Sequence, residues 1–147
     1  MDLKEGNYFI SYHDTSGHVF PIARRLNDDS TCPQAPVVKY AEPIPPELAT
    51  WKLEGPFTPN TYFLYNGNKE KPADYIDKFV WLKKGDPQVW RIEPASTPGT
   101  YIILWDADDE FGWVVPDGSG DEAQIECRED AEPSVFSFVP VPPQECS

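Results

Sequence analysis

The feature that most limits what this chain can become is its rhythm. Short runs of β-branched and aromatic residues recur along it, each cut off after a few positions by turn residues. Apolar residues at helical spacing are almost absent. The rhythm predicts strands at Tyr8–Tyr12, Val19–Arg24, Pro36–Ala41, Trp51–Glu54, Tyr62–Tyr65, Phe79–Lys83, Trp90–Glu93, Tyr101–Asp106, Gly112–Val115, Gln124–Arg128 and Val135–Val139, with a weaker one at Asp74–Ile76. Thr15-Ser16-Gly17, Asn66-Gly67, Thr97-Pro98-Gly99 and Asp117-Gly118-Ser119-Gly120 lie between them. These residues favour turns: Gly supplies positive φ, Pro pre-sets φ, and Asn and Asp bond their own backbone. In 147 residues this leaves no space for helices, and the chain reads as all-β.

Aligning the aromatic positions reveals an internal repeat. The first unit opens at Asn7-Tyr8-Phe9-Ile10 and closes at Trp51-Lys52-Leu53-Glu54. The second opens at Thr61-Tyr62-Phe63-Leu64 and closes at Trp90-Arg91-Ile92-Glu93. The third opens at Thr100-Tyr101-Ile102-Ile103 and closes at Phe136-Ser137-Phe138. Each unit begins with a Tyr-x-apolar strand, ends with a Trp/Phe-x-apolar strand, and has two weaker strands between. Three four-stranded units predict a β-trefoil: a six-stranded barrel with a triangular hairpin cap, closed so that no strand edge stays exposed. A β-sandwich leaves the threefold repeat unexplained. The expectation is one domain over residues 1–147, with repeats at about 6–56, 57–96 and 97–141 and a short tail at 142–147.

Charge and composition exclude several function classes. There are 12 Lys+Arg against 25 Asp+Glu, a formal charge of −13. Nucleic acid and anionic membrane surfaces are recognised by clustered Lys/Arg, and only Arg24-Arg25 and Lys83-Lys84 are adjacent basic pairs. No apolar run approaches the roughly 20 residues of a membrane span. A composition 39% hydrophobic and 14% aromatic is too apolar for a disordered acidic tail. Cys32, Cys127 and Cys146 are odd in number and irregularly spaced, so no disulfide framework is implied. The charged start, Met1-Asp2-Leu3-Lys4-Glu5-Gly6, does not resemble a secretory signal. A cytoplasmic protein with reduced thiols is expected, a secreted mature form remaining the alternative.

Gly6-Asn7-Tyr8-Phe9-Ile10, Trp51-Lys52-Leu53-Glu54, Trp90-Arg91-Ile92-Glu93-Pro94, Gly112-Trp113-Val114-Val115-Pro116-Asp117 and Phe136-Ser137-Phe138 together resemble the β-trefoil protease inhibitors of mushrooms. The resemblance is to the serine protease inhibitors of the cospin and cnispin group. The cysteine protease inhibitors called mycocypins, and the cocaprins, which inhibit cysteine and aspartic proteases, are near in architecture. It spans nearly the whole chain, but through motifs of the scaffold. It implies a protease inhibitor with no catalytic activity and no cofactor.

The residues themselves offer no catalytic centre. His13-Asp14-Thr15-Ser16-Gly17-His18 holds His, Asp and Ser, yet a triad is assembled by the fold from separate segments, and six consecutive residues between strands read as a hairpin turn. Asp-Thr-Ser-Gly also carries a residue too many for the aspartic protease motif and has no second copy. Asp106-Ala107-Asp108-Asp109-Glu110 starts like a calcium loop, but Phe111 stands where the sharp-turn Gly belongs. In Asp117-Gly118-Ser119-Gly120-Asp121 the position of the bidentate Glu falls on Arg128. No zinc spacing and no nucleotide-binding glycine loop occur, so no metal and no cofactor are expected. Ricin-type trefoil lectins resemble one another through a Gln-x-Trp in each unit. Here it occurs once, as Gln88-Val89-Trp90, against Ala49-Thr50-Trp51 and Ser134-Val135-Phe136. Carbohydrate is therefore the second partner class, with Trp105 and Trp113 as stacking candidates if exposed.

The loops remain as the functional surface. The stretch from Arg24 to Ala35 is polar and bracketed by Pro21, Pro33 and Pro36, and a rigid exposed segment loses little entropy on binding. A trypsin-like protease takes a long cation into a pocket with a buried Asp, where one desolvated charge pair dominates affinity. In cospin-like inhibitors the reactive basic residue lies between strands two and three, which implies Arg24 or Arg25 here, with Leu26, Asn27 and Asp28 following. Arg25 is the expected inserted residue; the acidic Asp28-Asp29 close behind it counts against trypsin. In mycocypins an Asn of the loop after the fifth strand engages legumain, which implies Asn66 or Asn68. Their first and third hairpin loops block papain-like clefts, which implies His13–His18 and the proline-rich Glu42–Leu48 around Pro45. The expected molecule is a monomer or weak homodimer whose partner is a protease: trypsin-like first, papain-like or aspartic second.

Overall fold

The computed structural model describes residues 3–13, 17–24, 34–42, 44, 49–66, 72–83, 85–116 and 123–141. Six strands form a ring, all neighbours antiparallel. Strand β1 (Gly6–His13) lies between β4 (Thr50–Glu54) and β13 (Val135–Pro140). β4 pairs with β5 (Thr61–Asn66), β5 with β8 (Trp90–Pro94), and β8 with β9 (Thr100–Trp105). β9 returns to β13, with Phe136 opposite Tyr101. Alternation sets which face each strand buries: Tyr8 and Ile10 of β1, and Trp51 and Leu53 of β4, turn inward, while Asn7 stays exposed.

Between the ring strands sit three hairpins. They are β2 (Val19–Arg24) with β3 (Gln34–Lys39), β6 (Ala73–Ile76) with β7 (Phe79–Lys83), and β10 (Asp108–Val114) with β12 (Glu126–Arg128). They meet one another: β3 pairs with β7, β12 with β7, and the short β11 (Ala123–Gln124) with β3. The hairpins also stay hydrogen-bonded to the ring, so the thirteen strands form one continuous network. The expected six-stranded barrel with a triangular hairpin cap is thus too narrow a description, because barrel and hairpins share one hydrogen-bonded network. The predicted strand Gln124–Arg128 is broken at Ile125, whose N–H donates to Val37 O at 2.8 Å while its carbonyl accepts from Val80 N at 3.0 Å. That residue is shared between two hairpins and cannot continue either ladder.

The core carries the same threefold arrangement. Trp51 Nε1 donates to Ile22 O at 2.8 Å and Trp90 Nε1 to Ala73 O at 3.1 Å, so each closing Trp is tied to the hairpin of its own unit. Trp113 stands among the three closing aromatics, its ring centroid 5.9 Å from Trp51, 5.5 Å from Trp90 and 6.1 Å from Phe136. Fully burying a large apolar side chain contributes roughly 1.5–3 kcal/mol, and these four are wholly enclosed. Repeat junctions match as well. Thr58-Pro59-Asn60-Thr61 and Thr97-Pro98-Gly99-Thr100 are both turns closed by an N–H···O bond of 3.1 Å. Asn60 (φ 68°) and Gly99 (φ 82°) occupy the position that a type II turn keeps at positive φ.

Candidate functional site

Strand β2 ends at Arg24, whose side chain is exposed while the two residues before it, Ile22 and Ala23, are fully buried. Arg24 is also the last residue of β2 paired with β3, opposite Val37. Two buried side chains take up its peptide groups. The Arg24 N–H donates to Asn66 Oδ1 at 2.9 Å, and the Tyr40 hydroxyl donates to Arg24 O at 2.6 Å. Asn66 is itself held, its Nδ2 donating to Thr50 O at 3.1 Å. Each such bond contributes about 0.5–1.5 kcal/mol, and losing one partner of a buried group costs more.

The chain re-enters the described structure at Gln34, and there it is pinned to a different hairpin. Gln34, Ala35 and Pro36 lie opposite Lys83, Leu82 and Trp81 of β7. The two described residues that flank 25–33 are thus each tied to the scaffold, Arg24 by Asn66 and Tyr40 and Gln34 by β7. A segment held at both ends by a packed scaffold is the arrangement that limits the ordering entropy lost when it docks.

Of the residues singled out from sequence, Arg24 sits at this stem with its side chain in solvent. Arg25, Leu26, Asn27, Asp28, Asn68 and Pro45 lie outside the described residues. Asn66 requires a correction: at 2% exposure, with its carboxamide committed to Arg24 and Thr50, it faces inward and offers no group to a protease. Its partner Tyr40, 3% exposed, carries no signal that single-sequence reading detects, because the bond links residues from separate strands.

The sugar-stacking candidates are also placed elsewhere. Trp113 is 0% exposed. Trp105 is half-buried and stacks on Tyr75 at 4.6 Å, its Nε1 donating to Gln88 Oε1 at 2.8 Å. Gln88 Oε1 also accepts from the Tyr75 amide, so the one Gln of the Gln-x-Trp pattern is used internally. Among the described residues no group of three or more His, Cys, Asp or Glu converges as metal ligands. Burial pushes the Cys127 thiol up to about 12, which leaves it protonated and poorly nucleophilic at neutral pH. An apolar groove of about 400 Å³ has Phe9, Val19, Pro21, Ile44 and Val139 in its lining, together with Glu42.

The sequence matches the peptidase inhibitor I66 family over residues 1–141. The chain belongs to that family. Several solved structures share the fold of this I66 protein at low sequence identity. A proteinase inhibitor from Coprinopsis cinerea superposes with a TM-score of 0.75 at 17% identity, over 95% of this chain and 99% of that one. The designed threefold-symmetric protein ThreeFoil gives 0.69 at 18%, over 92% and 99%. A lectin from Polyporus squamosus, in a complex with Neu5Aca2-6Galb1-4GlcNAc, gives 0.65 at 15%, over 92% of this chain and 49% of that one. No curated protein matches the sequence. An I66 chain shares its fold, then, with an inhibitor, a symmetric design and a lectin, and only its own loops and stems distinguish among such roles.

Proposed function

We propose that this I66 protein inhibits a trypsin-like serine protease by reversible insertion of the segment that follows Arg24 into the active-site cleft, without catalysis or cofactor of its own. The observation that carries the reading is the exposed Arg24 on a stem whose peptide groups are both held by buried side chains, immediately before Arg25. A cationic side chain on a held segment suits a deep pocket floored by a carboxylate, and the ordering cost of docking is reduced in advance. Arg25 is the residue assigned to the pocket, with Leu26, Asn27 and Asp28 on the far side of the bond presented to the protease. The protein acts as a monomer or weak dimer.

Within protease inhibition, a papain-like target is the second reading. A groove lined by Val19, Pro21, Ala41, Glu42 and Ile44 favours it, because described residues next to the first and third connections share one surface there. An aspartic protease is held open in the same class. A lectin role has the fold in its favour, but Gln88 and half-buried Trp105 are bonded to each other and Trp113 is fully buried.

Inhibition of trypsin, papain and pepsin, measured side by side with an Arg24→Ala/Arg25→Ala double mutant, tests the proposal. Trypsin inhibition by the wild type and its loss in the mutant are expected. Inhibition of papain or pepsin alone moves the site to the other connections. Inhibition of none, together with cell agglutination competed by free sugar, overturns the reading in favour of a lectin.

A further inference from the structure

We infer that the recess between the β6–β7 turn and the β10–β12 hairpin is a binding site for a neutral pyranose sugar, walled by Phe79 and Phe111 and hydrogen-bonded by Lys78, Arg128 and the acids beside them. This is a function in addition to protease inhibition. It uses no residue of the proposed inhibitory site and stands or falls separately.

Ile76 lies opposite Phe79, so Asp77 and Lys78 alone make the turn, and both have positive φ, 53° and 75°. Two-residue turns of this kind favour Asn-Gly or Asp-Gly, because both positions fall in the left-handed region. Asp77 fits that preference. Lys78 stands where Gly is favoured and has no short polar group to ease the conformation. Among the described residues, the other non-Gly positions with positive φ are held by Asn60 and Asp77. The fold needs only the backbone of residue 78, whose carbonyl accepts the Cys127 N–H at 2.8 Å. Any residue supplies that carbonyl, and Gly supplies it without strain. A strained lysine with an exposed side chain in its place points to a role for the ammonium outside the fold.

Lys78 lines a recess of about 320 Å³, together with Phe79, Phe111, Glu126, Arg128 and Asp130. The Phe111 ring is fixed from behind by edge contacts to Tyr75 (5.6 Å, 76°) and Trp105 (5.9 Å, 88°). Arg128 is braced too: its Nε and Nη2 donate to Asp130 at 2.8 Å each, and its Nη1 to Glu126 Oε1 at 3.2 Å. Three of the five guanidinium donors are thereby used, which leaves two for a ligand. The Arg128 hydrogen bonds hold the Asp130 carboxyl below its ordinary value, so it stays an acceptor. Donors and acceptors therefore alternate around two aromatic walls whose positions are set before anything binds.

The ligand class follows from that mixture. Lys78 and Arg128 face Glu126, Glu129 and Asp130, so neither a phosphate nor a carboxylate finds a surplus of positive charge. A wholly apolar ligand would strip water from the charged rim without replacing its hydrogen bonds. Sugar hydroxyls both donate and accept, which suits such a rim, and the C–H face of a pyranose lies well against an aromatic ring. The volume belongs to the small end of small-molecule sites. One such site on one chain does not cross-link cells, so agglutination does not report on it.

The test titrates the full chain with the methyl glycosides of glucose, galactose, mannose and N-acetylglucosamine, followed by saturation-transfer NMR, in wild type, Lys78→Gly and Phe111→Ala. Binding of at least one glycoside by the wild type is expected, weakened at least about tenfold in each variant. Lys78→Gly is also expected to raise Tm, because Gly relieves the strain at the turn, so affinity and stability move in opposite directions. That variant decides the matter alone if Phe111→Ala fails to fold. Binding of none of the four by the wild type overturns the inference. So does wild-type affinity in Lys78→Gly or in a folded Phe111→Ala, which places the sugar elsewhere. A lower Tm in Lys78→Gly overturns it as well, since the lysine would then serve the fold. Trypsin inhibition by the wild type is a separate measurement, and its failure would leave each of these outcomes as stated.

Discussion

The indole of Trp113 stands edge-on to that of Trp90, the ring centroids 5.5 Å apart and the planes at 84°. Trp51 and Phe136 meet the same indole at 61° and 87°, so one side chain of the third repeat fills the space where the closing strands of all three converge. Its Nε1 is buried and has no hydrogen-bond partner among the described residues. A buried donor without an acceptor costs about 1–3 kcal/mol, so packing at this point outweighs polar satisfaction.

Trp113→Ala and Trp113→Phe separate the two effects. Removing the indole leaves a large void, and a loss of about 3–5 kcal/mol is expected by urea denaturation. Phenylalanine fills much of the space and deletes the orphaned N–H, so its loss is expected to fall below about 1.5 kcal/mol. Equal losses in the two variants contradict this account.

Arg24 and Arg25 are expected to behave differently as single alanine variants. The Arg24 backbone is bound at the end of β2, opposite Val37, and under the proposed function Arg25 is the residue that enters the pocket. Arg25→Ala is expected to weaken trypsin inhibition by at least about 2 kcal/mol, the loss typical of a central anchor. Arg24→Ala is expected to change KI by less than about tenfold. Titration of trypsin activity with each variant decides it, and the reverse order would shift the inserted residue by one.

Gly55 and Gly99 both have positive φ, 133° and 82°, but their surroundings differ. A Cβ on Gly55 would come within 2.7 Å of Thr61 O, whereas one on Gly99 would meet nothing within 4 Å. Gly99→Ala bears only the conformational penalty, about 1 kcal/mol. Gly55→Ala adds a clash with backbone and is expected to lower Tm markedly further in a thermal melt of the two proteins.

Asp74 predicts a pH signature. Burial pushes its carboxyl above 3.8, with the Tyr75 amide and Lys83 acting against the rise, and its Oδ1 has no hydrogen-bond partner among the described residues. The folded chain therefore holds this proton to higher pH than the unfolded chain does. The contribution to stability is complete below the ordinary value and is lost as pH rises through the folded one. Asp74→Asn is expected to raise Tm near about pH 7 and to leave it unchanged near about pH 3. A pH-independent difference would assign the effect to packing.

Cys127 is wholly enclosed, with its thiol pushed up to about 12 by burial. Alkylation of the native protein at about pH 8 is expected to leave it unmodified, and alkylation in urea to modify it fully, because the thiolate is the reacting form. Peptide mass spectrometry reads both. Native labelling of Cys127 would show that β12 opens readily.

The strand pattern was largely legible because alternation and turn residues are local signals. Val19–Arg24 and Phe79–Lys83 end where expected, and most others extend by a residue or two. β10 begins earlier than the predicted Gly112 because its first residues close the hairpin with β9 through a bulge between Asp108 and Gly112. The break at Ile125 escaped notice because it depends on two partners from other repeats. The site was legible in part: a basic pair at a strand end points to Arg24, but Asn66-Gly67 reads locally as a turn. The carboxamide's true partner is 42 residues away, and no spacing rule connects them.

Closing the ring through β1 and β13 also sets the order of events during synthesis. The register that places Tyr8 opposite Pro140 and Tyr12 opposite Phe136 joins strands from the two ends of the sequence, so one edge of β1 has no partner until β13 has been made. During that interval the nascent chain carries an unpaired strand, a template on which another copy can add, and its long-range contacts slow the search that ends the exposure. Translation that stops before Val135 would thus yield an aggregating chain rather than a weaker inhibitor, and helper proteins at the ribosome would matter more for yield than the stability of the finished barrel.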